Sequence, residues 1–164
     1  MQGYQIREYN KSDYQDLLNL MVINEDYHIK LYPFDLRKTD TNYGEFFVRY
    51  ILDKVNSNNG IFYVVEYKEH LIGFGACYIK EKTERSLIEL GDNKVGEISR
   101  IFIKEKYRNK GIGSTLFKKM EKYLLSKGCK ILKLGVAAGN HIAHDIYKKS
   151  GYKETFIDMT KKVT

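Results

Sequence analysis

The sequence predicts an α/β domain of the mixed, α+β kind, and three observations carry that prediction. Two β-branched and aromatic runs, Ile61 to Tyr67 and Leu71 to Ile79, flank Lys68-Glu69-His70 in the pattern of a hairpin. From Val95 onward the chain reads strand, charged loop, helix, strand, helix, which is a βαβ unit with one more helix. The length of 164 residues suits one core, with about two thirds of the unfolded surface buried on folding. Residues 1–164 therefore read as a single domain.

In order, Gln5 to Tyr9 is a short strand, and Ser12 with Gln15 forms a capping box that opens a helix ending near Ile29. Leu17, Leu18, Met21 and Val22 give that helix its apolar face. Residues 30–42 are loop-like and hold the single proline, Pro33. A second helix follows from about Tyr43 to Val55, with Phe46, Phe47, Tyr50, Ile51 and Val55 at helical spacing, and the Asn56 to Gly60 cluster stops it. After the hairpin comes a polar excursion to Asn93, then a strand from Val95 to Ile103. The helix from Gly111 to Lys127 carries the stripe Ile112, Leu116, Met120, Tyr123, Leu124 and stops at Gly128. A strand from Lys130 to Val136, a helix from Asn140 to Ser150 and one or two strands in Tyr152 to Thr160 complete the chain.

Composition narrows the function classes. No apolar run approaches the roughly 20 residues of a spanning helix, and the first residues lack a leader's apolar core, so a cytoplasmic protein without membrane attachment is expected. Cys77 and Cys129 sit singly in apolar stretches and read as buried thiols. Residues 1–60 carry 7 Lys and Arg against 9 Asp and Glu, whereas residues 61–164 carry 21 against 12. The basic part suits an anionic ligand. Nucleic acid is not the expected one, because no helix-turn-helix, zinc or RNA-recognition signature is present. His141 and His144 lack a third ligand at useful spacing, so no metal is expected.

Chemistry concentrates in Arg108-Asn109-Lys110-Gly111-Ile112-Gly113-Ser114, which follows a strand and opens an amphipathic helix. Glycines there let backbone N–H groups approach an anion, the first-turn amides have no internal partners, and the helix dipole adds about half a positive charge. The loop is not a nucleotide-hydrolysis loop, since GxxxxGK[ST] is absent, and it lacks the third glycine of a dinucleotide fingerprint.

Glu97-Ile98-Ser99-Arg100-Ile101-Phe102-Ile103 followed by Arg108-x-x-Gly111-x-Gly113 resembles the strand and [RQ]xxGx[GA] loop of the GNAT (GCN5-related) N-acetyltransferases. Asn140 to Tyr152 is similar to that family's N…A…Y…GF segment, in the right order and at the right separation. The resemblance implies a mostly antiparallel central sheet with one parallel, splayed strand pair and helices on both faces. It also implies acetyl-CoA as cosubstrate, with its pyrophosphate on the amides of Asn109, Lys110, Gly111, Ile112, Gly113 and Ser114, beside Arg108. The pantetheine arm would lie at Ile101, Phe102 and Ile103, with Asn140, Ala143 and Tyr147 completing the cofactor site. Ile98 and Phe102 share one parity and Ile101 and Ile103 the other, as a bulge near Ser99 to Ile101 would produce.

Acyl transfer to an alkyl amine requires the ammonium, ordinarily near pKa 10.4, to lose a proton. Glu97 matches the family position of that base, and it equally suits a strand carboxylate paired with a cation. Tyr147 matches the family tyrosine beside the departing sulfur, which implies the acid that protonates the thiolate; a ring that only packs with Ala143 and Ile146 is the alternative. Asn140 is an N-cap by local chemistry and a cofactor contact by resemblance. N–H donors near Phe102 and Ile103 would serve the tetrahedral intermediate. An acyl-cysteine route is disfavoured by the placement of Cys77 and Cys129.

The acceptor side is expected in Glu25, Asp26, Tyr27 and Tyr32, with His28, Phe34, Asp35 and Tyr43 nearby, where acidic and aromatic side chains would suit a cationic amine. The expected activity is acetyl transfer from acetyl-CoA to a primary amine of a small molecule or protein by direct attack. The competing reading is a catalytically silent acyl-CoA-binding module. Either a monomer or a homodimer fits the sequence.

Overall fold

The hairpin and the βαβ unit are parts of one five-stranded sheet. The computed structural model describes residues 2–31 and 41–163. The strands are β1 (Tyr4–Glu8), β2 (Ile61–Tyr67), β3 (His70–Ile79), β4 (Lys94–Ile103) and β5 (Cys129–Leu134), in that spatial order. β1 to β4 pair antiparallel, and β4 pairs with β5 in parallel. Among the described residues the helices are α1 (Tyr14–Ile29), α2 (Thr41–Ser57), α3 (Glu84–Leu90), α4 (Ile112–Ser126) and α5 (His141–Lys149).

β2 and β3 read as continuous apolar runs because both of their faces are covered. Phe62, Val64, Phe74 and Ala76 join a core with Leu17, Leu20 and Met21 of α1 and Val48, Ile51 and Val55 of α2. The alternate residues Tyr63, Val65, Ile72 and Cys77 face the other core, built on Ile112, Leu116, Met120 and Leu124 of α4. Gly96 lets α4 approach the sheet: a Cβ there would lie 2.8 Å from Leu124 Cδ1. The turn between β2 and β3 is tight, with Lys68 and Glu69 both at positive φ. Burial pushes the Cys77 thiol up to about 12, which suits an inert core thiol.

Four expectations are corrected. The cap of the first helical segment is Asn10 with Asp13, ahead of a 3₁₀ turn at Lys11–Asp13, and not Ser12 with Gln15. Asp13 is the better partner because Arg7 holds its carboxylate through two contacts of 2.7 and 2.8 Å. On α2 the buried spine is Val48, Ile51 and Val55, while Phe46 and Tyr50 are exposed and stack on each other. The polar excursion contains α3, opened by a capping box of Thr83 and Ser86. None of its residues is buried, so no apolar period marks it.

Lastly, Tyr152 to Thr160 forms no strand, and β5 ends the sheet among the described residues. Tyr152 is held by Glu121 at 3.1 Å and Glu154 by His144 and Lys148. Beyond them Phe156, Ile157 and Met159 are exposed. An apolar run becomes a strand only where a neighbouring backbone pairs with it, and here none of the described strands does.

Candidate active site

β4 is interrupted at one residue, and the site follows from that interruption. Opposite β3, Cys77 pairs with Ile98 and Ala76 with Arg100, so Ser99 is the extra residue of a bulge. The parity conflict read from the sequence is thereby resolved: Ile98, Ile101 and Ile103 lie on the α4 side of the sheet, whereas Phe102 joins the α1 side. Pairing with β5 stops at Ile98 opposite Leu134, and Ser99 to Ile103 run on without it. Lys104 N donates to Ile72 O, and Phe74 lies opposite Phe102. By the alternation of an antiparallel ladder, the amide of Phe102 then turns to β3, and those of Ile101 and Ile103 face the open side. The donor expected at Phe102 is thus replaced by one at Ile101.

The gap between β4 and β5 opens into a cleft of about 490 Å³. Ile98 to Ile103 form one wall, Gly135 and Val136 beyond β5 the other, α1 contributes Asn24, Tyr27 and His28, and α5 contributes Asn140, Ala143 and Tyr147. At one end lie Arg108, Asn109, Gly111, Gly113 and Ser114. Asn109 and Gly111 adopt φ of 59° and 78°, which turns the backbone sharply ahead of α4. Gly111 is the N-cap of α4 and makes no side-chain cap to its first-turn amides, in contrast to the side-chain caps from Asn10, Thr83 and Asn140 elsewhere. Uncapped first-turn amides beside a left-handed glycine form an anion cradle.

The side chains of both basic residues of this loop donate to backbone carbonyls. Arg108 donates from Nε to Ile103 O at 2.9 Å, and its guanidinium lies 4.8 Å from the Tyr27 ring and 5.8 Å from that of Phe102. It fixes the loop to the end of β4 while still lining the cleft. Lys110 donates to Lys106 O at 3.0 Å and does not line the cleft, and Ile112 is a core residue.

Glu97 lies in an adjoining cavity of about 350 Å³, together with Tyr50 of α2, Tyr78 of β3 and Ala137. His28, Ser99, Arg100 and Gly135 line both spaces. Glu97 Oε2 is 3.1 Å from Lys80 Nζ, so the carboxylate is ion-paired and also faces a cavity. Burial, with Glu97 and Tyr50 nearby, raises the pKa of Tyr78. Burial likewise raises that of Tyr147, whose ring packs 5.3 Å from Phe117, so its phenol stays protonated at neutral pH. Asn140 accepts from Ala143 N at 3.2 Å as the N-cap of α5 and lines the cleft as well.

The acceptor-side expectations divide. Tyr27 lines the cleft. Glu25 is only 1% exposed and does not line it; Asn24 Nδ2 donates to its Oε1 at 3.0 Å and Arg100 Nη2 lies 3.5 Å away. Asp26 is exposed and lines neither cavity. Tyr32, Phe34 and Asp35 fall outside the described residues. Tyr43 packs against Phe47 at 4.7 Å. Sequence reasoning missed Asn24, Ser99, Arg100, Tyr50 and Tyr78 as lining residues. Only the cross-strand register, with Tyr78 opposite Glu97, brings such residues together. Among the described residues no cluster of three His, Cys, Asp or Glu side chains is placed to hold a metal ion, and no helix is long and apolar enough to cross a membrane.

The acetyltransferase (GNAT) family model matches residues 21–152. The chain belongs to the GNAT acetyltransferase family. It is 35% identical over 85 residues to thialysine N-ε-acetyltransferase from Bos taurus, a match covering 51% of this chain and 45% of the bovine protein. The chain thus spans less than half the length of that relative. An uncharacterised N-acetyltransferase from Archaeoglobus fulgidus is 28% identical over 144 residues, covering 87% of this chain and 88% of the other. The fold matches the crystal structure of an aminoglycoside N-acetyltransferase in complex with CoA at a TM-score of 0.69 and 17% identity, over 98% of this chain and 94% of that one.

Proposed function

We propose that this GNAT chain binds acetyl-CoA and transfers its acetyl group to the nitrogen of a primary amine by direct attack within a ternary complex. One observation carries the reading: a single continuous cleft joins an anion cradle at the start of α4 to the unpaired half of β4, and it adjoins a cavity containing Glu97. The residues present suit a coenzyme of this kind. The amides of Ile112, Gly113 and Ser114 would receive a pyrophosphate, and the open-side amides of Ile101 and Ile103 would receive amide and thioester carbonyls. When bound, acetyl-CoA supplies the acyl group and a thiol leaving group. The named activity of the bovine relative and the CoA complex of the structural neighbour are consistent with this reading.

Glu97 pairs with the incoming ammonium in place of Lys80 and then accepts its proton, directly or through water, leaving a neutral carboxyl and a neutral amine. Tyr147 donates a hydrogen bond to the departing sulfur. Its raised pKa lies above an ordinary thiol's value near 8.5, so the phenol steadies the thiolate without having to give up its proton completely. Neither cysteine lines the cleft, since Cys77 and Cys129 belong to the α4-side core, which favours the direct route over an acyl-cysteine.

Incubation with acetyl-CoA and an amine panel, read by thiol release and by mass spectrometry of the acetylated product, tests the proposal. Acetylation of any amine at a rate well above hydrolysis is the expected result. Tight coenzyme binding with no transfer to any amine would replace the transferase by a binding module.

A further inference from the structure

The cavity holding Glu97 also contains a cation to which acetyl transfer assigns no role. From it we infer that Arg100 recognises an anionic group of the acceptor, so that the acceptor is an amine bearing a carboxylate or phosphate and not a polycation. This inference rests on the transferase reading above and specifies the substrate class of the same site.

The charges of the described lining run against a polycationic acceptor. Glu97 is the carboxylate facing the second cavity among the described residues, and it already has Lys80 at 3.1 Å. Of the three acidic side chains that the sequence suggested for this region, Glu25 is buried behind Arg100, Asp26 lines neither space and Asp35 lies outside the described residues. Arg100, by contrast, lines both spaces. A polyamine entering here would meet a guanidinium and displace an ammonium, with one carboxylate to receive it.

Arg100 is also held in a way that leaves it donors to offer. A guanidinium carries five N–H donors in a fixed plane. Among the described residues Arg100 has one carboxylate contact, Nη2 to Glu25 Oε1 at 3.5 Å; Nε is buried without a hydrogen-bond partner, so the donors to offer are those of the terminal nitrogens. Its guanidinium carbon lies 5.5 Å from the centre of the Phe47 ring, which fixes the plane, and 28% of the side chain remains accessible. A planar donor set backed by a buried carboxylate and open towards a cavity suits bidentate binding of a carboxylate or phosphate. Glu97 and Arg100 are three residues apart on β4, at most roughly 10 Å of strand. An acceptor spanning them has several bonds between its amine and its anion.

Matched pairs of amines test this with acetyl-CoA saturating. L-lysine against cadaverine compares the same terminal amine with and without a carboxylate, and glucosamine 6-phosphate against glucosamine does so for a phosphate. The expected result is a kcat/KM higher by ~10-fold or more for the anionic member of at least one pair, carried by KM. Whichever pair shows it distinguishes carboxylate from phosphate. In the double variant Glu25→Gln with Arg100→Gln, which leaves no buried carboxylate alone, the ratio within that pair falls towards one; Arg100→Lys gives an intermediate ratio because charge remains and the fork is lost. Circular dichroism and thermal unfolding verify that each variant is folded, and the wild-type ratios stand without any variant. Equal or better use of the members lacking the anion in both pairs, or a preference that survives in the folded double variant, overturns the inference and leaves the transferase reading intact. No thiol release with any amine removes the transferase reading and this inference with it.

Discussion

The two ends of the cleft are built from different materials. The end at the start of α4 is made of backbone: left-handed Asn109 and Gly111, a helix N-terminus without a side-chain cap, and the half of β4 that β5 leaves unpaired. The other end is made of side chains drawn from separate elements, with His28 from α1, Tyr50 from α2, Tyr78 and Lys80 from β3, and Glu97 and Arg100 from β4. A backbone site demands a particular local conformation and therefore a contiguous motif. A side-chain site demands only that distant positions meet. The first is consequently fixed with the fold, and the second can be rewritten by single substitutions that leave the fold alone.

Changes at four positions would break or sharpen this contrast. The largest effect is expected for Glu97→Gln, which should lower kcat/KM by ~100-fold or more near neutral pH. The deficit should narrow as the pH approaches the amine's own pKa near 10.4, where free amine no longer needs a base. A pH–rate profile parallel to that of the unmodified enzyme would leave Glu97 as the ion-pair partner of Lys80 alone.

At the backbone end, Gly111→Asp places a carboxylate in the cradle and should weaken coenzyme binding by ~100-fold, read by calorimetry. Gly111→Asn tolerates the same positive φ without the charge and should lose far less. Equal losses in the two would show that conformation, and not charge, controls that end. Tyr147→Phe should come next, with kcat reduced by ~10-fold and coenzyme Kd within ~3-fold of the original. An unchanged kcat would return Tyr147 to packing against Phe117.

The smallest effect on function belongs to a pair remote from both ends. Arg7 lies between Asp13 and Glu66, and its hydrogen bonds hold the Asp13 carboxyl below its usual range. A depressed acid stabilises the fold above its unfolded value, near 3.9, and that contribution disappears as the pH falls through the folded value. Asp13→Asn should therefore cost about 1–3 kcal/mol in urea unfolding at pH 7, converge with the parent in acid, and leave coenzyme affinity and acceptor preference unchanged.

Legibility in the sequence follows the same division. The hairpin, the βαβ unit and the loop of Arg108 to Ser114 could be read because periodicity, glycine placement and motif spacing are local properties. The bulge was visible too, since the parity of Ile98, Ile101, Phe102 and Ile103 conflicts along one strand. α3 was hidden because it buries nothing, and the exposed run after Tyr152 misled because apolar residues alone do not supply a pairing partner. Glu25 was misplaced for a related reason. Its charge suggested a pocket wall, yet Asn24 and Arg100 make it tolerable in the interior, and no sequence pattern announces a partner 75 positions away.

Ser99 gives the molecule an arithmetic vulnerability. Because a strand alternates its faces every residue, the single surplus position shifts everything beyond it by one step, and substituting its side chain leaves that count untouched. Excising the residue would instead let Arg100 follow Ile98 directly opposite Ala76 and Cys77, so that Ile101 and Ile103 keep their faces while the bulge that bends β4 where it parts from β5 is lost. A missing codon there would be far more damaging than any missense change at the same place.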